Sequence, residues 1–130
     1  MTFDISKYEL NDSGTLTVQT AKGDEDLLGT DGKPVVIELY GHGSNQAVAV
    51  ARKQGQRAAA RVQQLVRGKV NKNEAAMAEE EEVERLTALT KSISANFPIA
   101  PAELYANPRL SYITNQVKAF LNDSANFSKG

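Results

Sequence analysis

The sequence lacks several residue types on which most catalytic and metal-binding sites depend. It contains no cysteine and no tryptophan, and His42 is its one histidine. Disulfide bonds, thiolate metal sites and a cysteine nucleophile are therefore excluded. Histidine carries much of the acid–base chemistry near neutral pH and binds most zinc and copper ions. We predict a non-enzymatic chain with no catalytic residues, no cofactor and no metal site.

Long apolar runs are also missing. No stretch reaches the ~18 consecutive apolar residues that are typical of a membrane-spanning helix. The first seven residues lack the apolar region of a signal peptide. A chain of 130 residues is long enough for one domain with an ordinary hydrophobic core. We therefore expect a single cytosolic domain that makes no contact with membranes.

Charge is segregated along the chain, although the net charge is only −1. Every charged residue between positions 52 and 72 is Arg or Lys, and every one between positions 74 and 84 is Glu. The basic segment is compatible with phosphate binding, with a partner protein, or with folding back onto the acidic segment. No aromatic residue is interleaved with it, as base-stacking surfaces would require.

The first 43 residues predict strands and turns. Residues 15–20 alternate apolar or β-branched side chains with polar ones, and residues 34–40 are rich in β-branched side chains. Between them, Asp31 and Gly32 predict a hairpin tip, because glycine accepts a positive φ. We expect a two- or three-stranded antiparallel meander that needs helices on one face.

Beyond this region, three apolar stripes with helical spacing predict three helices, and a proline turn predicts a short fourth. Ser44 is the predicted N-cap of the first helix. Pro98 and Pro101 stop the second helix, and Pro101 also opens the short helical turn. Asn107 followed by Pro108 predicts the start of the last helix. The stripes are, in chain order, Val48, Ala51, Gly55, Ala58, Ala59, Val62, Leu65 and Val66; Ala76, Val83, Leu86, Leu89 and Ile93; and Leu110, Ile113, Val117, Phe120 and Leu121.

These elements predict an α+β, mainly α fold, in which an N-terminal antiparallel β-hairpin or meander packs on three to four helices. Residues 1–130 form one domain in this interpretation. Residues 1–43 are its β-rich part, residues 44–123 its helical part, and residues 124–130 a flexible polar tail.

Two motifs have some features of functional sites but do not fit them. The Gly41–Ser44 segment lacks the lysine of a phosphate loop and the spacing of an esterase elbow, so we interpret it as a turn. Glutamates that follow one another between positions 79 and 84 point about 100° apart on a helix and cannot converge on a calcium ion. That run is predicted to be a solvated helix face.

Two stretches carry a resemblance to a known family. One covers residues 31–44, where a strand leads through the glycine turn into the arginine-bearing helix. The other comprises Phe97 and Pro98, residues 103–105 and residues 113–127. Together they resemble the tail assembly chaperones of long-tailed bacteriophages, with the parts in the same order over nearly the whole chain.

The resemblance implies a function and partners. Proteins of this family bind the tape measure protein, which is long and largely helical, and keep it soluble while tail tube protein subunits polymerise around it. The implied partners are the tape measure protein and the tail tube protein. They act in the bacterial host cytoplasm and are absent from the mature virion. Many are made in two lengths through a programmed −1 frameshift. This chain would be the short form, and its ending at residues 128–130 is compatible with a slippery site.

Five residues are the candidate partner-binding residues. Arg52, Arg57 and Arg61 offer a basic face beside the small-residue stripe. We expect reversal of Arg57 and Arg61 to Glu to weaken binding while leaving thermal stability nearly unchanged. Tyr105 and Phe127 lie in proline-rich and terminal segments, where exposed aromatic side chains serve as interface anchors. The alternative function is a small nucleic-acid-binding regulator that uses a basic helix over residues 52–72. The small-residue stripe is also compatible with self-association.

Overall fold

A three-stranded antiparallel sheet covered on one face by helices forms the fold. The computed structural model describes residues 9–66 and 74–128. The sheet contains β1 (Ser13–Thr17), β2 (Val36–Tyr40) and β3 (Thr90–Ile93) in the order β1-β2-β3. The helices are α1 (Asn45–Val66), α2 (Glu74–Leu89), α3 (Pro101–Ala106) and α4 (Ser111–Asn122), and 3-10 turns cover Pro108–Leu110 and Ser124–Phe127. The predicted α+β, mainly α class is confirmed.

The central strand β2 has one buried and one solvated face. Ile37 and Leu39 are completely buried beneath the helices. Glu38 lies on the other face, where it accepts a hydrogen bond from Ser13 Oγ at 3.1 Å and forms an ion pair with Lys91 Nζ at 3.3 Å. Because side chains alternate across a strand, Ile37 and Leu39 point into the core, whereas the half-buried Val36 and Tyr40 lie on the same face as Glu38.

The predicted turn at Asp31 and Gly32 is present. Gly32 has a φ of 77°, and Asp31 Oδ1 accepts a hydrogen bond from the Lys33 amide at 3.0 Å. Asn96 fastens this turn to the segment that follows β3. Its side-chain amide donates to Asp31 Oδ1 at 2.9 Å and to the Lys33 carbonyl oxygen at 2.9 Å. Residues 29–34 are therefore held by a residue more than 60 positions away in the sequence.

Asn96→Ala tests this link through a titration. The hydrogen bond from Asn96, together with the Lys33 amide, holds the pKa of Asp31 below its usual value. A lowered pKa in the folded state means that this carboxylate stabilises the fold above its unfolded-state pKa and stops doing so as pH falls through the folded value. In Asn96→Ala we expect the Asp31 pKa, followed by NMR, to rise towards its usual value. An unchanged pKa would contradict the link.

The third strand corrects the prediction for the second helix. We predicted that α2 would extend through Ile93, whereas it ends at Leu89 and Thr90–Ile93 forms β3. β3 pairs antiparallel with β2, and Ile93 lies opposite Ile37 in the register. The β-branched Thr90 and Ile93 suit this strand position, and pairing satisfies backbone groups of β2 that would otherwise lie unpaired. Ile93 still packs against the core, now from a strand.

β1 differs from its prediction at both ends. It covers Ser13–Thr17 instead of residues 15–20. Beyond it, the Val18 amide still donates to the Val35 carbonyl at 2.9 Å, and the chain then turns at Gly23, which has a φ of 77°. The strand therefore begins two residues earlier and leaves the sheet sooner than its alternating pattern indicated.

The C-terminal helices follow the predicted local rules except at the start of the last one. Asn107 caps the 3-10 turn at Pro108–Leu110, and α4 itself begins at Ser111 without a side-chain cap. Pro101 occupies the first turn of α3, and the Asn107 side chain accepts from the Arg109 amide at 2.9 Å. Ile113, Val117 and Leu121 on α4 are buried. Within residues 9–66 and 74–128, no helix has the length and apolar character needed to cross a membrane.

The prediction of a flexible tail over residues 124–130 is wrong for the first part of that segment. Ser124–Phe127 forms a 3-10 turn whose first amides are capped by Asp123, and Phe127 is only 2% exposed. The Phe127 carbonyl accepts from the Asn11 amide at 2.7 Å. This turn therefore closes one end of the core. Positions 129 and 130 lie outside the described residues.

Candidate functional site

The turn that leads into α1 is rigidly built. Ser44 is 1% exposed, and its Oγ accepts from the Ala47 amide at 3.2 Å and donates to the Gly41 carbonyl at 2.7 Å. The Phe127 ring lies so close to Gly41 that a Cβ there would meet it at 3.1 Å. His42 is exposed. The predicted N-cap at Ser44 is confirmed, and the segment serves as a helix entry.

Helix α1 packs on α2 mainly through its first turns. Ala47 and Val50 are its only buried side chains in the described part of the chain. Between positions 51 and 63, only Gln54 and Arg61 are even half-buried. The face turned towards α2 therefore runs through positions 47, 50, 54, 57 and 61. The predicted apolar stripe lies next to this face, and its members from Val48 to Val62 are exposed to solvent. The side chains of Leu65 and Val66, at its far end, lie outside the described ones.

Polar contacts hold the second half of α1 against α2. Arg57 Nη1 lies 2.9 Å from Glu84 Oε1, and Arg61 Nη1 lies 2.6 Å from Glu81 Oε1. Gln54 Nε2 donates to the Glu81 carbonyl at 2.7 Å. Of the three interpretations of the basic segment, the structure shows folding back onto the acidic segment for these two arginines. The part of the predicted basic helix at positions 67–72 lies outside the described residues.

The acidic partners on α2 are stabilised in their charged forms. A hydrogen bond from Arg57 lowers the pKa of Glu84. Burial opposes the charge on Glu82, but a hydrogen bond and the positive charge of Arg85, with that of Lys118, outweigh burial and lower the pKa of this carboxyl group. These carboxylates therefore remain ionised at neutral pH.

Because Arg61 is paired with Glu81, its reversal to Glu should lower stability, contrary to the expectation from the sequence. Arg61→Glu would place two carboxylates opposite each other, so we expect a loss of about 1 kcal/mol in unfolding free energy, which is measurable by urea denaturation. The charge-swapped pair Arg61→Glu with Glu81→Arg should recover most of it. Arg52→Glu is the matched control, because Arg52 is exposed on the same helix and forms no ion pair in the described part. Equal losses in both single variants would contradict the pairing.

Two predicted interface anchors belong to the core instead. Tyr105 is 7% exposed, and its hydroxyl lies 2.5 Å from Thr90 Oγ1. Burial raises the pKa of the Tyr105 hydroxyl. Phe127 packs edge-on against Phe120 with ring centroids 5.4 Å apart. The prediction that Tyr105 and Phe127 are exposed is wrong. Segments distant in the sequence cover both side chains, and the residues next to them in the sequence do not indicate this.

The surface that remains available is the exposed stripe on α1. Val48 is 49% exposed and Val62 is 58% exposed, with Ala51, Gly55 and Ala58 exposed between them. We call these five residues the α1 stripe. Their spacing of three and four residues is that of a coiled-coil seam, and its ends are about 21 Å apart. Among the described residues, and apart from Gly55's own stretch of helix, no atom lies within 4 Å of the position that a Cβ on Gly55 would take. A second helix could therefore approach the α1 backbone closely at this point.

Sequence reasoning found the α1 stripe but missed which face of α1 meets α2. A signal for that face was present. Arg57 and Glu84, like Arg61 and Glu81, are nearly equidistant from position 71, as expected for two antiparallel helices joined there. Among the described residues, no group of three His, Asp or Glu side chains is placed to hold a metal ion.

Comparison of the chain with protein-family models, with curated proteins and with solved structures found no match. The fold and the surface together define a class only: a small α+β domain whose α1 stripe is exposed in the described part of the chain. Its function is inferred from that surface and from the sequence resemblance described above.

Proposed function

We propose that this protein is a phage tail assembly chaperone. In this proposal it binds the tape measure protein, keeps it soluble in the host cytoplasm while tail tube protein assembles, and is left out of the mature virion. The observation that carries the proposal is the solvent exposure of the α1 stripe. Apolar side chains at coiled-coil spacing are normally covered, and a long helical protein is the kind of partner that covers them.

The composition of the α1 stripe suits a helix as its partner. Small side chains at Ala51, Gly55 and Ala58 allow the backbones to approach closely, and the two valines provide apolar contact at either end. Arg52 is exposed beside the seam and is available to an acidic residue of the partner. Of the predicted basic binding residues, Arg52 therefore remains the strongest candidate, whereas Arg57 and Arg61 are engaged by α2.

The nucleic-acid alternative is less well supported. Helix α1 carries four cationic side chains and no anionic one, but α2 beside it carries six glutamates and one arginine. The helical pair therefore has a net charge of −1. A polyanion approaching α1 would meet the field of α2 as well, which weakens the phosphate attraction on which such binding depends.

The test uses the full chain co-expressed with the tape measure protein of the same phage. We expect that protein to become soluble and to co-purify. Val62→Gln should reduce the binding affinity about tenfold, since one of the two large apolar contacts is lost. Leu28→Gln is the matched control, because Leu28 is also 58% exposed but lies away from α1, and it should bind as the unaltered chain does.

Gly55→Ala is a second test, in which stability and partner binding should change in opposite directions. Alanine is favoured over glycine within a helix by about 1 kcal/mol, so this variant should be more stable than the unaltered chain. Its added methyl group should nevertheless weaken partner binding where the helices come closest. Unchanged binding by both Val62→Gln and Gly55→Ala would exclude the α1 stripe as the partner-binding surface. Salt-sensitive binding of DNA or RNA, without solubilisation of the tape measure protein, would favour the regulator instead.

A further inference from the structure

A groove runs along the side of α2 that faces away from α1. Glu81 and Glu84 contact α1, whereas Glu79, Val83 and Leu86 lie about half a turn further around the helix. The groove has a volume of about 780 Å³, with α2 as one wall and α4 as the other. Along α2 it extends for about 15 Å, which is close to three helical turns. It is therefore separate from the α1 stripe, and any role it has is independent of the proposed function.

The groove has an apolar floor and an acidic rim. Leu86 is fully buried and Tyr105 nearly so, and both line the floor together with Val83. Glu79 and Glu80 stand exposed on the α2 rim and form no ion pair within the described part of the chain.

The remaining charged residues of the groove wall do not neutralise the negative charge of this rim. Glu82 also lines the groove, but it is engaged by Arg85 at 2.9 Å and by Lys118 at 3.6 Å. The groove lining thus carries three glutamates and one lysine, a net charge of −2. On the α4 wall, the Thr114 hydroxyl is buried and has no hydrogen-bond partner among the described residues.

We propose that this groove binds an amphipathic helix whose apolar face is flanked by Lys or Arg. The apolar floor accepts side chains at positions i, i+3 or i+4, and i+7 of such a helix, and the cations at its margins meet Glu79 and Glu80. Charge complementarity selects this occupant over an acidic or neutral helix. The occupant belongs to another protein, since the basic helix of this chain is already held on the opposite side of α2.

The experiment measures binding of a labelled 16-residue helical peptide to the full chain by fluorescence anisotropy. The peptide carries Leu at i, i+4 and i+7 positions with Lys on both margins, and a control peptide has Glu in place of every Lys. We expect the Lys peptide to bind and the Glu peptide not to bind. Glu79→Gln with Glu80→Gln should weaken the Lys peptide about fivefold to tenfold at low salt, and much less at high salt.

The matched control removes the same charge from elsewhere on the surface. Glu25→Gln with Glu103→Gln changes two exposed glutamates that do not line the groove, and binding should be nearly unchanged. Equal weakening by the two double variants would reduce the effect to net charge and overturn the proposal. So would equal binding of both peptides, or sedimentation showing that the groove is filled by a second copy of the chain. None of these results depends on the α1 stripe or on the tape measure protein.

Discussion

Phe127→Ala is expected to lower the free energy of unfolding by about 3–5 kcal/mol, a large part of the total stability of a domain this size. Phe127 is 2% exposed although it lies only three residues from the C-terminus of the sequence. Its ring contacts Phe120 and lies so close to Gly41 that a Cβ there would meet it at 3.1 Å. Removal of the Phe127 ring would leave a cavity at the end of the core, where the turn into α1 begins.

Urea denaturation followed by circular dichroism measures this loss. Phe127→Leu should cost less, because a branched aliphatic side chain fills part of the cavity. Leu28→Ala is the surface control and should change stability by less than about 0.5 kcal/mol, since Leu28 is 58% exposed. A loss below about 1 kcal/mol for Phe127→Ala would mean that the C-terminal turn does not close the core. Phe127 would then again be a candidate interface anchor.

The C-terminal segment shows why local rules succeeded in one place and failed in the next. Asn107 caps the 3-10 turn before α4, and Ser44 caps α1, through amides two or three residues away. The sequence pattern therefore contained both the cap and its partner. The Ser124–Phe127 turn is instead fixed by Asn11, whose side chain donates to the carbonyl of a residue 117 positions away. No pattern within the last ten residues carries that information.

The strands show the same division. The β-branched content of residues 34–40 predicted β2, and glycine chemistry predicted the turn before it. β3 was missed because Leu86, Leu89 and Ile93 continue the helical spacing without a break. A strand that directly follows α2 keeps Ile93 facing the core just as another helical turn would have done. The free edge of β2 decides between the two outcomes, and that edge exists only once the sheet has formed.

The candidate site could be predicted only in part, because local sequence does not show which residues are covered by distant segments. The α1 stripe was found from its spacing, but its neighbours in the sequence do not reveal whether it is covered. Arg57 and Arg61 were correctly placed on one face of α1, yet that face turns towards Glu84 and Glu81. The rest of the site depends on how two helices pair, which is a property of both segments together.

Leu86→Ala is expected to cost about 2–5 kcal/mol, whereas Val62→Ala should change stability by less than about 0.5 kcal/mol. The two residues lie on apolar stripes that have the same helical spacing in the sequence. Leu86 is 0% exposed and packs in the core beneath the sheet, while Val62 is 58% exposed. Alanine also has the higher helix propensity, so we expect Val62→Ala to be neutral or slightly stabilising. Urea denaturation of both variants measures the difference.

This contrast separates an apolar stripe that folds the chain from one that is left for a partner. Substitution of a covered residue removes contacts and leaves a cavity, whereas substitution of an uncovered one removes almost nothing from the isolated protein. Partner binding should respond in the opposite way, since Val62 would be covered only in the complex. A large stability loss for Val62→Ala in the isolated chain would show that the α1 stripe is already covered by this protein itself, and its assignment as the tape-measure surface would then fail.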